Sequence, residues 1–169
     1  MNKLFIFILI FTLSLFVVSS CSHNAKHPPS QTKVSTSANQ ASSLKRNNTG
    51  HEIANFAKLQ LGKPYRYGGA SPKGFDCSGL VHYTHKQFGI QTPRTSKQQY
   101  KAATPVSANQ LELGDIVFFK LTSTNVSHVG IYIGDGQFIH APKSGKRVAT
   151  AFLQDPYWKT RFAAGGRFY

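Results

Sequence analysis

Cysteine is scarce in this chain: there are two among 169 residues, Cys21 and Cys77. Cys21 ends an apolar leader and Cys77 lies in the stretch with a folded domain's composition, so a disulfide framework is not expected. Acidic side chains are scarce too, with 6 Asp+Glu against 20 Lys+Arg and a formal net charge of +14. On charge alone a nucleic acid would be an acceptable partner. The exported character of the N-terminus argues against it, which leaves anionic polymers of a cell envelope as the counter-charge. Large apolar residues are nearly missing from Ser22 to about Asn48. Such a stretch cannot bury enough surface to offset its ordering entropy, so residues 21–50 are expected to be a disordered basic tether spanning roughly 30 Å.

What is present begins with an apolar run from Leu4 to Phe11, continued by Leu13, Leu15, Phe16, Val17 and Val18 and closed by Ser19 and Ser20. That reads as a signal peptide over residues 1–20 rather than a spanning helix. Val18-Ser19-Ser20-Cys21 looks like a bacterial lipobox, which makes Cys21 the acylated N-terminus of the mature chain. Several acyl chains hold a protein firmly on a membrane where one holds it marginally. The expected location is the cell envelope, lipid-anchored and facing the periplasm. Ser22 in place of Asp favours the outer membrane over the inner.

Residues 51–169 carry the folded domain. A helix is expected from His51, with Ile53, Phe56, Ala57 and Gln60 at helical spacing and Gly62 and Pro64 as its stop. Asp76 is a good N-cap for a second helix from Cys77 to about Phe88. That helix places Cys77 on its inward face with Leu80, Val81 and Thr84, and in its first turn, where the dipole favours a thiolate. His82 reads as solvated and His85 as flanking the inward face. Thr95–Tyr100 suggests a short third helix. Strands follow at Ile116–Lys120, His128–Ile133, Gln137–His140, Val148–Phe152 and Phe162–Phe168. Helices first and antiparallel strands after imply an α+β fold. A three-residue loop Gly134–Gly136 would pair Gly130 with His140 and set His128 and His140 on one face. A two-residue loop Asp135–Gly136 would split them. In the first register Gly130 is expected to make room for His140.

A lone thiol followed by two imidazoles reads as a nucleophile, its base and the base's orienter. No metal or cofactor is required. Two other classes fit the same residues. Cys77, His128 and His140 are three ligands with an open position, as in a zinc hydrolase. An inactive wall-binding lipoprotein is the other.

The sequence resembles the NlpC family of papain-like cysteine peptidases. The resemblance rests on Pro64-Tyr65-Arg66-Tyr67-Gly68-Gly69, Phe75-Asp76-Cys77-Ser78-Gly79-Leu80, Pro93-Arg94, Leu113-Gly114-Asp115, His128-Val129-Gly130-Ile131-Tyr132-Ile133-Gly134 and Phe138-Ile139-His140-Ala141. It implies a papain-like fold, with N-terminal helices on a mainly antiparallel sheet. It also implies Cys77 as nucleophile, His128 as general base, His140 as its orienter, and Tyr65 near the oxyanion or substrate. The implied substrate is the peptide stem of peptidoglycan, with the D-Ala–diaminopimelate crosslink favoured over the γ-D-Glu–diaminopimelate bond. Arg66 and Arg94 are candidate contacts to stem carboxylates.

Overall fold

The computed structural model describes residues 33–169 except 123. Helix α1 (Lys33–Lys58) leads into a small antiparallel ribbon, β1 (Ala70–Ser71) with β2 (Gly74–Phe75). Helices α2 (Cys77–Lys86) and α3 (Ser96–Ala102) follow. The rest is strand: β3 (Thr104–Val106), β4 (Ile116–Phe119), β5 (His128–Gly134), β6 (Gln137–His140) and β7 (Ala149–Phe152). A one-turn helix α4 (Pro156–Lys159) then precedes β8 (Phe162–Arg167). Six strands form one antiparallel sheet in the order β3-β8-β4-β5-β6-β7. The fold is therefore α+β, as expected.

Alternation along the strands gives the sheet two apolar faces. Ile116, Phe118, Val129, Ile131 and Ile139 pack against Ile53 and Ala57 of α1 and Leu80 and Val81 of α2. Val117, Phe119 and Phe138 face the other way, against Leu111, Tyr132, Leu153, Trp158 and Phe162. At the mouth of β4, Asp115 is fully buried. Arg167 answers it with two hydrogen bonds, at 2.6 and 2.7 Å, and so ties the end of β8 to the start of β4.

Two expectations change. Composition extends the tether to about Asn48, yet α1 is helical from Lys33. Residues 38–48 of it are exposed, so burial does not account for the helix there. Residues 33–49 contain neither proline nor glycine. Once the packed half of α1 is formed, extending it costs little, because nucleation is the expensive step. The leader, Cys21 and the rest of the tether lie outside the described residues. Among those described, no helix is long and apolar enough to cross a membrane.

The second change concerns the β5–β6 hairpin. Its tip is the two-residue loop Asp135–Gly136, both with positive φ (52° and 71°), flanked by the pair Gly134↔Gln137. A register shift between Tyr132 and Gly134 then absorbs one residue, giving Tyr132↔Phe138 and Ile131↔Ile139. Continued, that register sets Gly130 opposite His140, the pairing expected for the longer loop. Parity is kept by a bulge instead of by loop length. Gly130 makes room for Phe138 rather than His140: a Cβ there would stand 2.6 Å from the Phe138 ring.

Candidate active site

Cys77 opens α2, and Asp76 caps it, accepting the Gly79 N–H at 2.7 Å. The other carboxylate oxygen of Asp76 takes the Gly68 N–H at 2.9 Å, and Arg94 grips both oxygens, at 2.7 and 2.9 Å. Arg94 also reaches Ser78 Oγ and the Gly69 carbonyl. It is thus spent on bracing the cap, and its expected role as a substrate contact is not supported. Burial raises the Asp76 pKa, but hydrogen bonds from Arg94 and Gly79, the Arg94 charge and the Gly68 N–H outweigh it and hold the carboxyl below its ordinary range.

The glycine two residues after the thiol serves a close approach. A Cβ on Gly79 would collide with the Gly69 carbonyl oxygen. That approach seats the 62–69 segment beside Cys77, with Tyr65 half-buried and packed on the core next to the thiol. Burial raises the Tyr65 pKa, and the nearby Cys77 and Asp76 charges add to the effect. Arg66 and Tyr67 are exposed on the same segment.

The thiol is half-buried, and its pKa is pushed up to about 11 by burial and by the Asp76 carboxylate. Backbone N–H groups of Ser78, Val129 and Cys77 itself work in the opposite direction. The helix N-terminus therefore acts in the direction the sequence suggests but does not prevail over desolvation. The Val129 contact brings the sulfur to the start of β5, beside His128.

His128 and His140 are 3% and 4% exposed, and Nε2 of one meets Nδ1 of the other at 2.9 Å. With Nε2 committed, Nδ1 of His128 is the ring nitrogen left to take a thiol proton. Burial, and then the His140 charge, push the His128 pKa down to about 3; burial lowers His140 to about 4. Both rings are neutral near pH 7.

Trp158 belongs to the site without having been expected there. Its indole stacks on His128, with centroids 5.5 Å apart and planes 26° apart, and meets His140 edge-on at 4.9 Å. Its one signal in the sequence is that 169 residues hold a single tryptophan. The helical histidines are also more enclosed than expected. His82 is half-buried on the Thr92 carbonyl at 2.7 Å, and His85 is fully buried. No cluster of three or more His, Cys, Asp or Glu suited to a metal occurs among the described residues. A separate groove of about 1050 Å³ between α1 and the 104–112 segment is lined by none of Tyr65, Cys77, His128 and His140.

A capped thiol, a buried imidazole pair and a tyrosine beside them can carry out acyl transfer. Similarity agrees with that chemistry. The sequence profile of the NlpC/P60 family matches residues 62–167. Murein DD-endopeptidase MepH of Escherichia coli K12 is 42% identical over 113 residues, 64% of this chain and 42% of that protein. Murein DD-endopeptidase MepS/Murein LD-carboxypeptidase of the same organism is 44% identical over 102 residues, 60% of this chain and 53% of its own length. The chain thus spans about half, or less, of the relatives it matches. A crystal structure of an NlpC/P60 family protein from Bacillus cereus superposes with a TM-score of 0.67 at 36% identity, covering 70% of this chain and 40% of that one. The chain belongs to the NlpC/P60 family.

Proposed function

We infer that this protein is a murein endopeptidase, lipid-anchored in the bacterial envelope, that hydrolyses amide bonds of peptidoglycan stems through Cys77, His128 and His140. The observation that carries the reading is the imidazole pair at 2.9 Å beside a thiol that opens a helix. In the resting site thiol and imidazole are both neutral. His128 Nδ1 takes the Sγ proton as sulfur attacks the carbonyl, and returns it to the leaving amine. His140 holds the other ring nitrogen and fixes the tautomer. N–H groups at the start of α2, with the Tyr65 hydroxyl, face the developing oxyanion. Water then releases the acyl group from Cys77 and restores the thiol.

The surface beside the thiol suits a carboxylate-rich peptide. Residues 62–75 lead into Cys77 and residues 141–148 lead out of His140, and the two segments are hydrogen-bonded together, Tyr65 N–H to Lys146 O at 2.9 Å and Val148 N–H to Lys63 O at 2.8 Å. They carry Lys63, Arg66, Lys73, Lys143, Lys146 and Arg147 and no acidic residue. The D-Ala–diaminopimelate crosslink is the favoured bond, supported by the DD-endopeptidase names of two relatives. Lipid attachment at Cys21 and an outer-membrane position facing the periplasm rest on the leader sequence.

Purified protein incubated with sacculi, with fragments read by mass spectrometry, tests this reading. Cleavage at the crosslink is expected, with at least a ~10³-fold loss in Cys77→Ala. A wall preparation left uncut by the wild type, or cut equally by Cys77→Ala, would overturn it.

A further inference from the structure

The groove beside α1 is built from parts that the proposed hydrolysis does not use. Helix α1 meets the body of the protein at Gly50, where a Cβ would collide with the Leu113 carbonyl oxygen. Gly114 comes as close from the other side, since a Cβ there would stand 2.7 Å from the Gly50 carbonyl oxygen. Before that contact residues 38–48 of α1 are exposed, and the groove of about 1050 Å³ opens between this length of helix and the 104–112 segment. Its floor includes the half-buried Ile90, Leu111 and Tyr169. Tyr169 is fixed there by its hydroxyl, which donates to the Leu113 carbonyl at 2.5 Å and lies 3.2 Å from the Asp115 carboxylate. Charge is uneven in the groove. Lys45 and Arg46 stand exposed on its α1 bank and belong to no ion pair among the described residues. Glu112, the acidic residue of the lining, is held by Arg167 at 2.8 Å, so the two cations of α1 are left for a ligand. Asn109 is exposed on the opposite bank.

We propose that this groove is a second, non-catalytic binding site for peptidoglycan, holding one part of the wall polymer while a stem peptide from another part enters the Cys77 site. The proposal deepens the hydrolase reading and rests on it. Stem carboxylates complement Lys45 and Arg46. The acetamido and lactyl methyl groups of the glycan suit the apolar floor, and its amides suit the side chain of Asn109. The volume of about 1050 Å³ lies at the top of the ~300–1000 Å³ usual for small-ligand sites, which fits a length of polymer better than a small metabolite. Ile90 lies past the end of α2 opposite Cys77, so a ten-residue helix of about 15 Å separates groove and thiol. A polymer held at both points binds more tightly than at either alone, because the second contact is intramolecular.

Binding is read by co-sedimentation of the full chain carrying Cys77→Ala with sacculi, and separately with phosphatidylglycerol vesicles. Adding Lys45→Glu/Arg46→Glu should weaken sacculus binding ~10-fold. With Cys77 intact, the same pair should raise KM on sacculi by a similar factor and leave kcat within about twofold. Turnover of a short soluble crosslinked fragment, which does not reach both sites, should be unchanged. Lys97→Glu/Lys101→Glu makes the same charge change at exposed positions of α3 outside the groove and serves as the control. An equal fall in the control would mean attraction to overall charge and overturn the proposal. So would unchanged sacculus binding in Lys45→Glu/Arg46→Glu, including the case where only vesicle binding is lost. Should charge reversal unfold α1, Lys45→Ala/Arg46→Ala decides, since alanine suits a helix: ~3-fold weaker sacculus binding supports the proposal and unchanged binding overturns it. If the wild type cuts no wall peptide, the hydrolase reading falls, while sedimentation still judges the groove.

Discussion

At the scale of single residues, the decisive quantity is where the Cys77 proton rests. Burial pushes Cys77 up to about 11 and His128 down to about 3, which favours a neutral thiol and a neutral imidazole in the resting site. In the proposed mechanism, proton transfer then accompanies attack on the carbonyl. This has a direct readout in the absence of substrate. Alkylation of Cys77 by iodoacetamide should be slower at pH 7 than for an ordinary cysteine, and should rise up to about tenfold per pH unit until near pH 11. A fast plateau extending below pH 7 would mean a preformed ion pair, and the neutral resting site would be wrong. The residues themselves are legible in the sequence, because Cys77, His128 and His140 sit in short segments whose neighbours speak for them. Arg94 is not. Its partner Asp76 lies 18 positions away, and a basic residue gives no sign in sequence of whether it faces a substrate or a cap. Trp158 is less legible still, since its partners come from β4, β5 and β6 and depend on the whole course of the chain.

At the scale of elements, the site depends on how closely the 62–69 segment can lie on the first turn of α2. Gly69 O accepts the Asp76 N–H at 3.0 Å and the Arg94 guanidinium at 3.3 Å, and faces Gly79 with no room for a methyl group. Gly79→Ala should therefore lift the segment, loosen the cap and displace Tyr65. The expected cost is about 1–3 kcal/mol of stability, as for overpacking elsewhere, with turnover falling further than the folded fraction. Thermal unfolding and turnover measured on the same preparation check this; unchanged values would show that the segment yields without consequence. The hairpin makes a related point about what sequence can supply. The register that pairs Gly130 with His140 gives a shared histidine face, but sequence ties it to a three-residue loop and not to the bulge that delivers it. A bulge is a compromise between a preferred two-residue turn and a burial pattern one residue out of step with it. The exposed half of α1 is hidden for the opposite reason: composition says whether a stretch can bury itself, not whether a helix already packed nearby will extend through it.

At the scale of the whole molecule, three neutral histidines lie inside a protein of strongly basic charge, and this links its stability to pH. His85 is the clearest case. It is fully buried and its Nδ1–H donates to the Val81 carbonyl at 3.0 Å, which leaves Nε2 buried without a hydrogen-bond partner among the described residues. Burial lowers its pKa from 6.5 to about 4. The unfolded chain takes up this proton as pH falls below 6.5, while the folded chain refuses it until about 4. Stability linked to His85 is thus complete above about pH 7, is lost as pH falls from 6.5 towards 4, and amounts to about 3 kcal/mol over that window. His128 and His140, lowered to about 3 and 4, act in the same direction. Repulsion among the 20 basic side chains steepens the slope as the 6 acidic groups begin to protonate. Urea midpoints should be flat above pH 7 and fall steeply between pH 6.5 and 4. His85→Leu, which keeps an apolar side chain of similar size and cannot titrate, should recover about 3 kcal/mol of the difference between pH 7 and pH 4. An acid slope unchanged in His85→Leu would place the sensitivity in the imidazole pair of the site and not in the helix that carries the thiol.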